Sequence, residues 1–162
     1  MKIVVGCDEA AYQLKELVRT HLEKLGHEVV DVGVYNEDPS LYPDTAERLC
    51  ARINSGECER GVLMCGTGIG MAIAADKIAG VRASSITTPD FADLFRRHND
   101  GNVVCLSGRF VDVDVNKDIV KVFLTSEFEG GRHAQRVAKM MKLDSTGKAP
   151  EGQKPRVMPL NR

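Results

Sequence analysis

The sequence predicts one α/β domain: a three-layer sandwich in which helices cover both faces of a five-stranded parallel sheet, with a C-terminal helix and a tail beyond it. Two observations carry this. Short β-branched runs alternate with stretches of helical periodicity along nearly the whole chain, and the connections are long enough for the crossover helix that a parallel strand pair requires. The 162 residues suffice for one core and leave no room for separate catalytic and binding domains. The domain is expected over 1–143 and the tail, rich in Pro, Gly and Lys, over 144–162.

The elements follow from periodicity and punctuation. Residues 1–7 form a β-branched run, and 9–25 repeat apolar residues at helical spacing (Tyr12, Leu14, Leu17, Val18, Leu22, Leu25) up to the stop signal Gly26. A strand is expected over 29–34, and a helix starts at Tyr42-Pro43-Asp44 and runs to about Asn54, Pro being at home in a first helical turn. Next come a strand over 61–65, a glycine loop over 66–70 and a helix over 71–78. Strands over 81–85 and 103–107 flank a helix over 91–97, and helices over 115–125 and 132–141 close the domain.

Bulk properties narrow the functions. Lys and Arg number 22 against 23 Asp and Glu, a formal net charge of −1, so neither a nucleic-acid nor a membrane partner is expected. The opening MKIVVGCDEA has no room for a signal-peptide core, which points to a cytoplasmic protein. The five cysteines contain no Cys-x-x-Cys pair, arguing against a disulfide framework and a zinc site.

In folds of this class ligands sit beyond the carboxyl ends of the strands. The chemically suggestive groups are Asp8 and Glu9 after the first strand, Cys65 with the glycine loop after the third, and His98-Asn99-Asp100 before the fifth; these segments can converge on one crevice. Gly66, Gly68 and Gly70 let the backbone turn tightly with its N–H groups aimed outward at a helix start, an anion or oxyanion cradle. A dinucleotide site would want another spacing and an earlier strand, so no nucleotide cofactor is expected. A helix N-terminus next to Cys65 favours its thiolate, which could act as a base. Arg132 and Arg136, four residues apart on one helical face, suit a phosphate. Each feature also has a plainer reading: a tight turn, a buried core thiol, a capping histidine, a solvated basic face.

The combination is more specific than its parts. GCD, YPD, CGTGIGMAIAADK, RRHND, SGR and EGGRHAQR in this order resemble the ribose-5-phosphate isomerase B and galactose-6-phosphate isomerase family from Met1 to about Leu143. The resemblance implies a Rossmann-like domain, assembled as a homodimer or homotetramer with active sites at the subunit interface. It implies aldose–ketose isomerisation of a sugar phosphate without metal or other cofactor. Cys65 would be the base and residues Gly66, Thr67, Gly68, Ile69 and Gly70 would hold the enediolate oxygens. His98 would open the sugar ring, Asn99 and Asp8 would bind hydroxyls, and Arg109, Arg132 and Arg136 would hold the phosphate. A non-catalytic sugar-phosphate-binding or partner-dependent subunit is the alternative.

One departure stands out. Where the family usually carries Asp-His after the first strand, this chain has Asp8-Glu9. A carboxylate there repels a phosphate, so Glu9 must turn away, pair with an arginine such as Arg136, or serve a different substrate. Ribose 5-phosphate leads the substrates, with tetrose, other pentose and hexose phosphates open beside it.

Overall fold

Strict alternation along the three central strands sorts their side chains into two cores. In β1 (Lys2–Cys7), Ile3, Val5 and Cys7 face one side and Val4 the other; in β3 (Arg60–Cys65), Val62 and Met64 oppose Leu63 and Cys65; in β5 (Val103–Ser107), Val104 and Leu106 oppose Val103 and Cys105. All are buried, as strands of a parallel sheet covered on both faces must be. The computed structural model describes residues 1–146. With the edge strands β2 (Glu28–Asp31) and β4 (Ala83–Ser85), the sheet is parallel throughout in the order β2-β1-β3-β5-β4.

The helices divide between the two faces. On one lie α1 (Tyr12–Lys24), α4 (Pro89–Asn99) and α5 (Val113–Thr125), burying Leu14, Val18, Leu22, Phe95, Ile119 and Phe123. On the other lie α2 (Tyr42–Asn54) and α3 (Ile69–Asp76), burying Leu49, Cys50, Met71 and Ala75. The start of α4 is set by Thr88, whose Oγ1 accepts the Phe91 N–H, and by Pro89 in the first turn. Next come α6 (Arg132–Met141), which buries only His133, and the short α7 (Leu143–Thr146). Asp144 Oδ2 accepts the Gly80 N–H at 2.8 Å, so contacts with the body run past the boundary expected at 143. The remainder of the expected tail lies outside the described residues. Among the described residues, no helix is long and apolar enough to cross a membrane.

Element type follows the sequence, while several ends move for local reasons. The helix expected from residue 9 starts as a single 3-10 turn, Glu9–Ala11, before α1 begins at Tyr12. Both edge strands are shorter than expected: before β4 the Asn102 Oδ1 takes the Arg82 N–H at 2.8 Å, and after Asp31 the backbone still bonds to β1 at Val32, Gly33 and Val34 but out of regular register, with Asp31 Oδ1 accepting the Gly33 N–H at 2.8 Å.

The Asp31 turn is locked by a buried cation. Lys15 on α1 is fully buried; its Nζ donates to Asp31 Oδ2 and to the Val34 carbonyl, each at 2.7 Å. Burial opposes its charge, yet the hydrogen bond and charge of Asp31 outweigh this and hold its pKa above the ordinary lysine value. Asp31→Asn keeps the shape and removes the nearer counter-charge, leaving Glu16 Oε1 at 3.3 Å, so it should cost about 3 kcal/mol of stability, read as a lower urea midpoint at unchanged slope. A loss under about 1 kcal/mol would class the pair with surface ion pairs.

Candidate active site

The parallel sheet carries Asp8, Cys65 and Ser107 to the same edge, at the carboxyl ends of the adjacent strands β1, β3 and β5. Cys65 is 6% exposed, and its Sγ accepts the Gly68 N–H at 3.0 Å. Gly68 is in the left-handed region, with φ of 78°, and a Cβ there would sit 2.7 Å from Ser85 Oγ and 3.1 Å from the Cys105 carbonyl; the turn needs glycine on both counts. Thr67 Oγ1 accepts the Ile69 N–H at 3.2 Å, tightening the entry to α3.

The loop is fixed from the β5 side. Ser107 Oγ donates to the Gly66 carbonyl at 2.9 Å, the Arg109 N–H to the same oxygen at 3.1 Å, and the Gly108 N–H to the Cys65 carbonyl at 2.9 Å. Buried Asn116 holds that turn in place, donating to the Ser107 and Val111 carbonyls. The side chain of Arg109 lies against Gly66, where a Cβ would come within 3.3 Å of its Cδ. On the α3 side the Tyr42 ring packs on Gly70, 3.1 Å from where a Cβ would lie. Thr67, Ile69, Ser85, Ser107 and Phe110 line a cavity of about 470 Å³ beside the loop. A larger one, about 800 Å³, opens beside β2 between Tyr35, Arg48 and Arg52, away from every expected site residue.

Asp8 and Glu9 behave differently. Burial, then the neighbouring Glu9, raises the Asp8 pKa, and Asp8 Oδ1 is buried without a hydrogen-bond partner. Glu9 turns to the loop after β2: its Oε2 accepts from Ser40 Oγ at 2.7 Å and from the Ser40 N–H at 3.2 Å. These bonds hold its pKa below the usual carboxylate range. Within the chain Glu9 thus turns to Ser40, and Arg136 of the same chain is not among its partners.

His98, Asn99, Arg132 and Arg136 do not join Cys65 within one chain, contrary to the convergence expected from sequence. The reason is the polarity of α4, which leaves the carboxyl end of β4 and returns to the amino end of β5, carrying His98 and Asn99 to the opposite edge of the sheet. Its 11 residues span about 16 Å at 1.5 Å per residue. There His98 and Asn99 line a further cavity, about 270 Å³, with His133, Arg136 and Met140. The His98 and His133 rings stack at 4.2 Å and 6°. Arg132 and Arg136 are exposed on α6, and Arg132 Nε donates to His133 Nε2 at 3.4 Å.

Sequence reasoning passed over Ser107, Asn116 and Tyr42, which fix the loop, and Glu129 and His133, which surround His98. Ser107 and Glu129 fall inside the SGR and EGGRHAQR motifs; only the fold shows what they touch. Comparison with known proteins agrees with the motif order. The Ribose/Galactose Isomerase family model matches residues 3–140. Ribose-5-phosphate isomerase B of Escherichia coli (strain K12) is 42% identical over 84% of this chain and 91% of its own length. D-erythrulose-4-phosphate isomerase of Pectobacterium atrosepticum is 38% identical over 86% of this chain and 93% of its own. The solved structure of Clostridium thermocellum ribose-5-phosphate isomerase B superposes with a TM-score of 0.90 at 41% identity, covering 91% of this chain and all of that one. The chain belongs to the ribose/galactose isomerase family.

Proposed function

We propose that the protein is a sugar-phosphate aldose–ketose isomerase that uses Cys65 as its base and an enediolate as its intermediate, with ribose 5-phosphate as the leading substrate. The observation that carries this is the thiol of Cys65, buried at the end of β3 against an inward-pointing N–H, beside the first turn of α3. Amide groups of a first helical turn lack intrahelical partners and are free to meet developing oxygen charge. The thiolate removes the C2 proton of the open-chain aldose; the C2–H electron pair becomes the C1–C2 double bond and the carbonyl electrons move to O1. A proton passes from O2 to O1 across the enediolate, and the thiol then returns a proton to C1 as the C2–O2 bond becomes the carbonyl.

A second copy of the chain completes the site. The loop half and the His98 half lie at opposite edges of the sheet, so neither can serve the other within one chain. Two copies in antiparallel contact bring the loop of one to the His98, Asn99, Arg132 and Arg136 of its partner, as a homodimer or a pair of dimers. The apolar side chains exposed beside the loop, Leu41, Ile69, Ile73 and Phe110, supply the surface such a contact buries. Arg109 from the loop half and Arg132 and Arg136 from the other hold the phosphate, whose binding is remote from the reacting carbons.

Two experiments test this. Purified protein with EDTA is assayed for ketose formation on tetrose, pentose and hexose phosphates. Conversion of ribose 5-phosphate is expected, with Cys65→Ala slower by about a thousandfold; an active Cys65→Ala enzyme would remove the base. Conversion confined to a four-carbon substrate, like that named for the Pectobacterium relative, would make Glu9 the leading specificity position. Separately, Arg132→Ala and Arg136→Ala should each raise KM about tenfold or more with a smaller change in kcat. An unchanged KM in both removes them from the phosphate site.

A further inference from the structure

Among the described residues, one group of three His, Cys, Asp or Glu side chains has donor atoms all within 4.8 Å of one another: His98, Glu129 and His133. Glu129 is held from two directions. Its Oε1 pairs with the Arg97 guanidinium, which also binds Asp93 Oδ2 at 3.0 Å, and Asp93 in turn accepts from Ser126 Oγ at 2.7 Å. Its backbone N–H donates to the Arg97 carbonyl at 3.0 Å. The second oxygen, Oε2, is left facing the two imidazoles, 3.5 Å from His133 Nε2 and 3.9 Å from His98 Nε2.

The two histidines are not equivalent. Burial, then the charges of His98, Arg132 and Arg136, lower the His133 pKa against the pull of Glu129, and its Nε2 accepts from Arg132. His133 is therefore the neutral plate on which His98 stacks. The hydrogen bond from Arg97 keeps Glu129 ionised. A metal would need donors converging on one point, whereas parallel rings direct their lone pairs side by side. Arg97 also occupies the carboxylate, so the geometry suits the support of one imidazole better than the capture of a cation.

We propose that Glu129 is a positioning residue for His98 in opening the sugar ring, an inference that rests on the role given to His98 above. Opening a furanose breaks C1–O4: the electron pair leaves on O4, which takes a proton from the His98 imidazolium, and the C1 hydroxyl then gives its proton to the neutral imidazole as the aldehyde forms. Protons balance and His98 is restored. Glu129 fixes the ring against His133 and supplies the negative charge opposite the imidazolium, and the nitrogen turned away from Glu129 serves the sugar. Arg97, Arg132 and Arg136 are the other charges around the pair.

The test separates ring opening from proton transfer. Ribulose 5-phosphate, with O5 esterified, cannot close a furanose ring, so exchange of its C1 hydrogen with deuterium oxide requires Cys65 but not His98. The readout is the ratio of ribose 5-phosphate turnover to ribulose 5-phosphate exchange, beside thermal unfolding of each variant. Glu129→Gln should lower the ratio about tenfold and His98→Asn about a hundredfold, with unfolding midpoints close to that of the unaltered protein. Equal loss of both rates in Glu129→Gln, with a lowered ratio in His98→Asn, would overturn the inference alone. An unchanged ratio in His98→Asn would overturn the role of His98 and the inference with it. So would turnover confined to a four-carbon aldose 4-phosphate, which has no furanose form.

Discussion

A parallel sheet has two unlike ends, and that polarity governs the rest of this structure. Every strand delivers its carboxyl end to one edge, which gathers Asp8, Cys65 and Ser107. Every crossover helix must return to the other edge before the next strand starts, so a residue late in a helix is carried away from that gathering. Cys65 belongs to the first class and His98 to the second. The same rule that makes the fold places Cys65 and His98 apart, and the symmetric pair of chains proposed above would resolve this, since each would offer one half to the other.

Electrostatic arrangement within each half follows from neighbours rather than from bulk charge. In the loop half, Glu9 is drawn to Ser40, and the Arg109 side chain lies along Gly66. In the other half, Arg97 fixes Glu129, and Arg132 and burial keep His133 neutral, so one carboxylate oxygen faces His98. Both halves hold a tethered carboxylate, Glu9 turned to Ser40 and Glu129 turned to the two imidazoles.

Much of this is legible in the sequence. The period-two runs read as strands because their side chains fill two cores, and the helix periodicities read as crossovers because each buries one stripe. The glycine loop and Cys65 could be found because the turn demands glycine at Gly68. What could not be read were the start of β4 set by Asn102, the irregular pairing after Asp31, and the place of His98. Its neighbours in sequence, RRHND, suggest a polar loop near a ligand, while its position at the far end of α4 is a property of three-dimensional direction. Asn116 and Glu129 were silent for a related reason: each acts through partners distant in sequence or fixed by packing, which no local pattern announces.

Active sites shared between two copies of the chain are the central proposal, and mixing two impaired variants tests them directly. Cys65→Ala lacks the base in the loop half and His98→Asn lacks the ring-opening group in the other. When the two chains are unfolded together and refolded, some mixed pairs carry both lesions in one site and leave the second intact. Turnover of ribose 5-phosphate well above that of either variant alone should therefore appear in the mixture. Mixed pairs verified by native mass spectrometry that turn over no faster than the two variants would show that each chain needs its own two halves, and would contradict the shared site.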